Sequence, residues 1–267
     1  MFINHRKSAF YTAAFSTIMS GMLLIGGGLA AAEEAEELTP ESLSPEQNQV
    51  LQSKQIDVTG DGKPDTVVLA GSKLDPSSPY FAKLALMVSG LGHNPVMIPL
   101  EGGYNPRMLF CDFNGDKLPE VYVSSETGGS GGLSNYALYS LKRNVPTAIP
   151  LPEPLRVTNK FKHNYVVKLK IEETGKSYKI DLKEKKKDYD EFGIYKNNRL
   201  VKPFIVNVNA YGALQPIDID QDGVCELKGV QRITGIANAD TIGYAKSLWK
   251  WQDGKWTLAS SKVTKEL

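Results

Sequence analysis

Histidine and cysteine are scarce in this chain: three histidines (His5, His93, His163) and two cysteines (Cys111, Cys225) among 267 residues. That leaves no Cys/His set at zinc spacing and few imidazoles to serve as a catalytic base. An excess of one charge is also missing. Lys and Arg number 31 against 30 Asp and Glu, a net charge of +1, so nothing points to nucleic acid or to an anionic membrane surface as partner. No P-loop and no dinucleotide fingerprint occurs. No segment holds a 3.6-residue apolar period for long, which argues against a helical domain.

What is present begins with an export layout. His5, Arg6 and Lys7 form a basic start, and Ser8 to Ala32 then runs 25 residues without a charge. Ile18, Met19, Met22, Leu23, Leu24 and Ile25 make its apolar core, and Ala30-Ala31-Ala32 offers a cleavage site before Glu33. This predicts a signal peptide over 1–32 and a secreted or cell-surface protein with no membrane contact after cleavage. The same stretch is long enough to span a bilayer uncleaved, and the Gly/Ala-rich exit favours cleavage. Residues 33–54 are acidic, rich in Pro, Gln and Ser and without aromatics, which predicts a disordered linker. An oxidising compartment permits a Cys111–Cys225 bond; two buried thiols are the alternative.

From residue 55 onward, short apolar or alternating runs are separated by Gly, Pro, Asn and Asp clusters. Thr66–Leu69, Phe81–Val88, Val96–Ile98, Met108–Phe110, Val121–Val123 and Tyr136–Leu141 open the series, and Tyr244–Trp251 closes it. The pattern predicts an all-β domain over 55–267. Asp253-Gly254 predicts a type I′ hairpin turn that sets Trp251 opposite Trp256. That pair serves as core packing more naturally than as a glycan shelf.

Three segments share one spacing of oxygen-bearing side chains, at positions 1, 3, 5 and 9. They are Asp57, Thr59, Asp61 and Asp65; Asp112, Asn114, Asp116 and Glu120; and Asp218, Asp220, Asp222 and Glu226. Calcium takes six to eight oxygens in a flexible shell, and alternate positions of a tight loop converge on one centre. The backbone carbonyls at position 7, of Lys63, Leu118 and Val224, can complete the set. Position 6 favours glycine for its turn; Gly62 and Gly223 supply it and Lys117 does not. No acid stands at position 12, so these are not EF-hands. One Asp-Gly turn would be ordinary turn chemistry, but three copies with acids at 1, 5 and 9 point to calcium. The third loop, with four carboxylates, is the strongest candidate.

The loops start at 57, 112 and 218, so their separations are 55 and 106 residues, the second twice 53. A unit of about 53 residues is implied, with one copy near residue 165 that has lost its acids. The loop leading straight into a strand resembles the FG-GAP and VCBS-type repeats of secreted propellers. The chain is similar to small exported VCBS-repeat proteins of spore-forming Gram-positive bacteria, through Gly103-Tyr104-Asn105-Pro106, Asp112–Glu120, Ser130-Gly131-Gly132 and Asn238-Ala239-Asp240. The resemblance implies a calcium-stabilised, β-propeller-like array of four to five short-stranded blades with no known chemistry, and the leading expectation is a non-catalytic module that engages an extracellular protein or glycan.

Competing readings are a structural component of the envelope or spore coat, and a serine hydrolase. Gly128-Gly129-Ser130-Gly131-Gly132 matches G-x-S-x-G, but an elbow needs a helix after it and Leu133–Leu141 reads as a strand. Lys183, Lys185, Lys186 and Lys187 form a basic run, expected as a solvated connection or a contact for an anionic polymer.

Overall fold

A computed structural model describes residues 48–90, 92 and 94–265. The signal segment and residues 33–47 of the expected linker lie outside them. Residues 48–54, expected in the linker, instead belong to the first strand: Leu51 and Ile56 pack against a core, and the backbone pairs along the next strand.

Four antiparallel meanders follow one another. The first runs β1 (Asn48–Ile56), β2 (Asp65–Ser72), β3 (Phe81–Ser89) and the start of β4 (Val96–Cys111). The Val96 and Met108 runs thus belong to one 16-residue strand. Its first half, to Gly103, pairs with β3, and its second half, from Tyr104, pairs with β5 (Glu120–Gly128). Glycine is required at the changeover. A side chain on Gly102 would strike the carbonyls of Phe81 and Ala82, and one on Gly103 would strike Ser125 and Glu126. The second meander continues with β6 (Leu133–Ser140) and the short β7 (Thr147–Ala148).

The third meander is β8 (Val157–Lys162), β9 (Val166–Ile171) and β10 (Ser177–Asp181). A six-residue helix α1 (Lys186–Glu191) and a small hairpin, β11 (Tyr195–Lys196) with β12 (Arg199–Leu200), come next. The fourth is β13 (Asn207–Ile217), β14 (Glu226–Thr234), β15 (Thr241–Gln252) and β16 (Lys255–Thr264). Each acidic loop joins the first two strands of the first, second and fourth meanders. In the third that place is the tight turn His163-Asn164-Tyr165, with Asn164 and Tyr165 both left-handed, where the sequence period expects a worn copy. The 165–207 segment is less purely β than the period suggests, because α1 intervenes.

Alternation along the strands builds two cores. Val67, Leu69, Leu86, Val88 and Ile98 of the first meander meet Met108, Val121 and Val123 of the second. The other face of the second meander, with Tyr122 and Leu138, joins Phe161, Val167 and Leu169 of the third and Leu214, Leu227 and Ile233 of the fourth. The β15–β16 turn is the expected one: Asp253 and Gly254 have φ of 52° and 76°, and Trp251 pairs with Trp256. Trp256 packs edge-on to Phe113 and donates from Nε1 to the Pro150 carbonyl at 2.7 Å, so it closes the core there, with Trp251 edge-on against it.

The basic run is only partly a solvated connection. Lys185 pairs with Asp240 of the fourth meander, whose other oxygen accepts the Tyr189 hydroxyl at 2.8 Å. Lys186 reaches Asp190 at 3.1 Å, and Asp190 also accepts from the Tyr165 hydroxyl. These bonds dock α1 on the aromatic cluster of Phe161, Tyr165, Tyr189 and Tyr195.

Candidate metal centre

The three loops share most of one hydrogen-bond scheme; at position 1 the third takes the N–H of position 5 where the other two take that of position 4. At position 1 both carboxylate oxygens accept N–H groups across the turn. Asp57 takes those of Gly60 and Gly62 at 2.6 and 2.9 Å. Asp112 takes Gly115 and Lys117 at 2.7 Å each. Asp218 takes Asp222 and Gly223 at 3.1 and 3.0 Å. At position 5, Asp61, Asp116 and Asp222 each accept the N–H of position 7, that of Lys63, Leu118 or Val224, at 2.8, 3.0 and 2.8 Å. At position 9, Asp65, Glu120 and Glu226 are buried and each accepts the N–H of position 2, at 3.0, 2.9 and 3.1 Å. Such charge-assisted bonds shape a loop before any ion arrives.

Positions 4 and 6 are left-handed in every loop: Gly60 and Gly62, Gly115 and Lys117, Gln221 and Gly223. The expectation that Lys117 forgoes the turn is therefore corrected. Its φ is 68°, and its N–H still reaches Asp112. A side chain in this conformation costs about 1–2 kcal/mol relative to the right-handed region. Lys117→Gly should accordingly raise the melting temperature by about 2–4 °C in chelator, net of glycine's larger unfolded-state entropy. Thermal unfolding followed by circular dichroism checks this, and an unchanged or lower midpoint counts against strain at this turn. The need for a left-handed residue at position 4 was missed in the sequence, where Gly60 and Gly115 were its only signal.

The loops differ at position 3. The Thr59 hydroxyl is buried and has no hydrogen-bond partner. The Asn114 amide donates to Glu120 at 2.6 Å, and its oxygen accepts from the Asp116 N–H at 2.9 Å. In the third loop Asp218, Asp220 and Asp222 each bring an oxygen within 4.8 Å of the others. Two lysines invisible to loop spacing complete the electrostatics. Lys142 contacts Asp116 at 2.8 Å. Lys250, on β15, contacts Asp220 at 2.9 Å and the buried Glu226 at 2.8 Å.

Burial pushes Glu120 up to about 7, and the charges of Asp112 and Asp116 add to the push against the Phe113 N–H. Desolvation works the same way on Asp116, but the Lys142 bond and the Leu118 N–H outweigh it and hold Asp116 below the usual carboxylate range. The Lys250 hydrogen bond holds Asp220 low, and Glu226, then Asp220, hold Lys250 above an ordinary lysine.

The loops also touch. A Cβ on Gly60 would run into the Leu118 side chain, so the first and second loops are in close contact. The second and third are joined more firmly. Cys111 and Cys225 are disulfide-bonded with Cα atoms 6.0 Å apart, which settles the alternative of two free thiols. The Cys225 N–H donates to the Asp112 carbonyl at 2.7 Å, and Asp112 and Val224 form a parallel bridge. Cys111 precedes position 1 of one loop, and Cys225 precedes position 9 of the other. In contrast, Gly128–Gly132 lies at the β5–β6 turn with a strand after it, and His163 accepts the Leu200 N–H on Nδ1 at 3.1 Å.

The domain described as the YybI C-terminal domain matches residues 155–264, which span the third and fourth meanders and include the third loop. No solved structure matches. The chain is 33% identical over 223 residues to "Uncharacterized protein YybI" of Bacillus subtilis (strain 168), covering 80% of this chain and 84% of that one. An identity of this level across most of both chains, with the domain match inside it, places the chain in the YybI family.

Proposed function

We propose that the protein is an exported, calcium-stabilised, non-catalytic β-repeat module that engages an extracellular protein or glycan, its meanders forming a propeller-like array of the FG-GAP and VCBS kind. One observation carries the calcium part: three carboxylates of the third loop converge within 4.8 Å, with buried Glu226 beside them. A single ammonium leaves most of the charge of four carboxylates uncompensated, and a divalent ion with a flexible oxygen shell adds two charges and takes their oxygens as ligands. The shared hydrogen-bond scheme extends the reading to the first two loops, with weaker binding where position 3 is neutral. The disulfide fits an oxidising compartment. The outer face of the first meander supports the partner half of the reading. Met87 and Met97 pair there at 40% and 49% exposure, alongside Val68 on the neighbouring strand. Adjacent exposed apolar side chains of this kind suit docking.

Lys250 provides the test. Calcium in the third loop competes with its ammonium for Asp220 and Glu226. Lys250→Met should lower stability in chelator, because Glu226 loses its charge partner, and should tighten calcium binding about tenfold or more. Calorimetric titration and melting curves with and without calcium read both effects. A variant equally destabilised in both conditions would mean that lysine is the loop's only cation.

A further inference from the structure

The seam between the second and fourth meanders holds a feature that the calcium reading does not use. β6 packs on β13 there, and bonds across the seam fix the approach. Asn209 donates to the Gly131 carbonyl at 3.0 Å, Ser134 to the Gly212 carbonyl at 3.3 Å, and Arg232 to the Ser130 carbonyl. A cleft of about 420 Å³ opens beside these bonds, within the range of small-ligand sites. Both walls carry β-bulges, between Tyr104 and Arg107 in β4 and on either side of Tyr211 in β13. Bulges of this kind widen a sheet edge and re-aim side chains next to binding sites.

The cleft is lined by Arg107, Ser124, Glu126, Tyr136 and Gln215, with the glycine turn at one side. Strand pairing orders them. Arg107, Ser124 and Tyr136 form one row across β4, β5 and β6, and Glu126 and Ser134 belong to the next row. Residues two apart on a strand share a face, so the guanidinium and the carboxylate rise from one face, one pleat repeat or roughly 7 Å apart at the backbone. Neither forms an ion pair with the other or with any described residue. The Tyr136 hydroxyl is buried near Ser134 and Leu214 yet makes no hydrogen bond of good geometry. One cleft thus holds an unpaired cation, an unpaired anion and an unsatisfied hydroxyl. A buried hydroxyl is normally paired, and opposite charges left apart at the exposed rim of a concave site suit a ligand that carries both.

We propose that this cleft binds a small zwitterion of dipeptide size, its carboxylate on Arg107 and its ammonium on Glu126, with Tyr136 and Gln215 on the polar atoms between. The size of the cleft limits the occupant to a small molecule or to the end of a chain. None of the residues that line the cleft belongs to an acidic loop, so the proposal does not rest on the calcium reading.

NMR titration of the whole protein with dialanine, N-acetyl-dialanine and dialanine amide tests the assignment. Dialanine should shift amides of β4, β5, β6 and β13 at millimolar concentration, and each blocked form should bind about tenfold more weakly or worse. Arg107→Gln should abolish the preference for acid over amide, and Glu126→Gln the preference for free over acetylated amine. Both side chains are exposed, so both variants should keep the wild-type spectrum elsewhere. The pattern should be the same in calcium and in chelator, which separates it from the metal reading. No shifts with dialanine, or binding indifferent to blocking, would overturn the proposal.

Discussion

Replacing both cysteines, as Cys111→Ala with Cys225→Ala, should cost about 4–5 kcal/mol and lower the melting temperature by roughly 10–20 °C. The bond closes a loop across a sequence separation of 114 residues, and loop closure of that length removes much of the freedom of the unfolded chain. The double variant avoids leaving one buried thiol at Cys225, which is 4% exposed. Position adds a second consequence. The bond lies next to Asp112 on one side and Glu226 on the other, so its loss also frees two acidic loops that it holds together. The variant should therefore bind calcium more weakly at the third loop as well as melt earlier. Unfolding in chelator measures the first effect, and a loss below about 1 kcal/mol would show that the closed loop does not set the stability.

The sequence made the β class legible because side-chain alternation and turn residues act locally. Thr66–Leu69, Phe81–Val88 and Tyr244–Trp251 fall on strands, Tyr136–Leu141 does so as far as Ser140, and the Asp253-Gly254 turn forms with the register expected. The spacing of the acids placed three loops, and the period placed the turn at Asn164-Tyr165 where a fourth would be. Long-range pairing was not legible. Nothing local says that β4 serves two neighbours, since Gly102 and Gly103 read as a break until their crowded surroundings are known. Residues 48–54 read as linker because Asn48, Gln49, Gln52, Ser53 and Lys54 are polar, although only one face of an edge strand needs to be apolar. Lys142 and Lys250 lie 26 and 30 residues from the acids they meet, beyond any motif. Register alone places Arg107 and Glu126 on one face of the sheet.

Millimolar calcium should raise the melting temperature, and chelator should reverse the rise. An ion that binds only the folded state stabilises by about 2.7 kcal/mol per site at a hundredfold excess over Kd, and extracellular sites often have Kd near ~10⁻⁴–10⁻³ M. For the third loop alone that is roughly 5–10 °C. Asp222→Ala removes a member of the converging triad and should take most of the calcium-dependent rise with it. Asp116→Ala should take less, because Lys142 already neutralises Asp116 and Asn114 is committed to Glu120. Each comparison is a difference between calcium and chelator for the same variant, so the loss of the Asp222 bond to the Val224 N–H cancels.

The central claim is that the third loop holds calcium, and calorimetric titration of the folded, disulfide-bonded protein with calcium tests it most directly. The account predicts saturable binding, strongest at one site, that Asp222→Ala weakens by about tenfold or more and Lys250→Met strengthens. No binding heat, no metal retained by elemental analysis and one melting curve across calcium and chelator would contradict it.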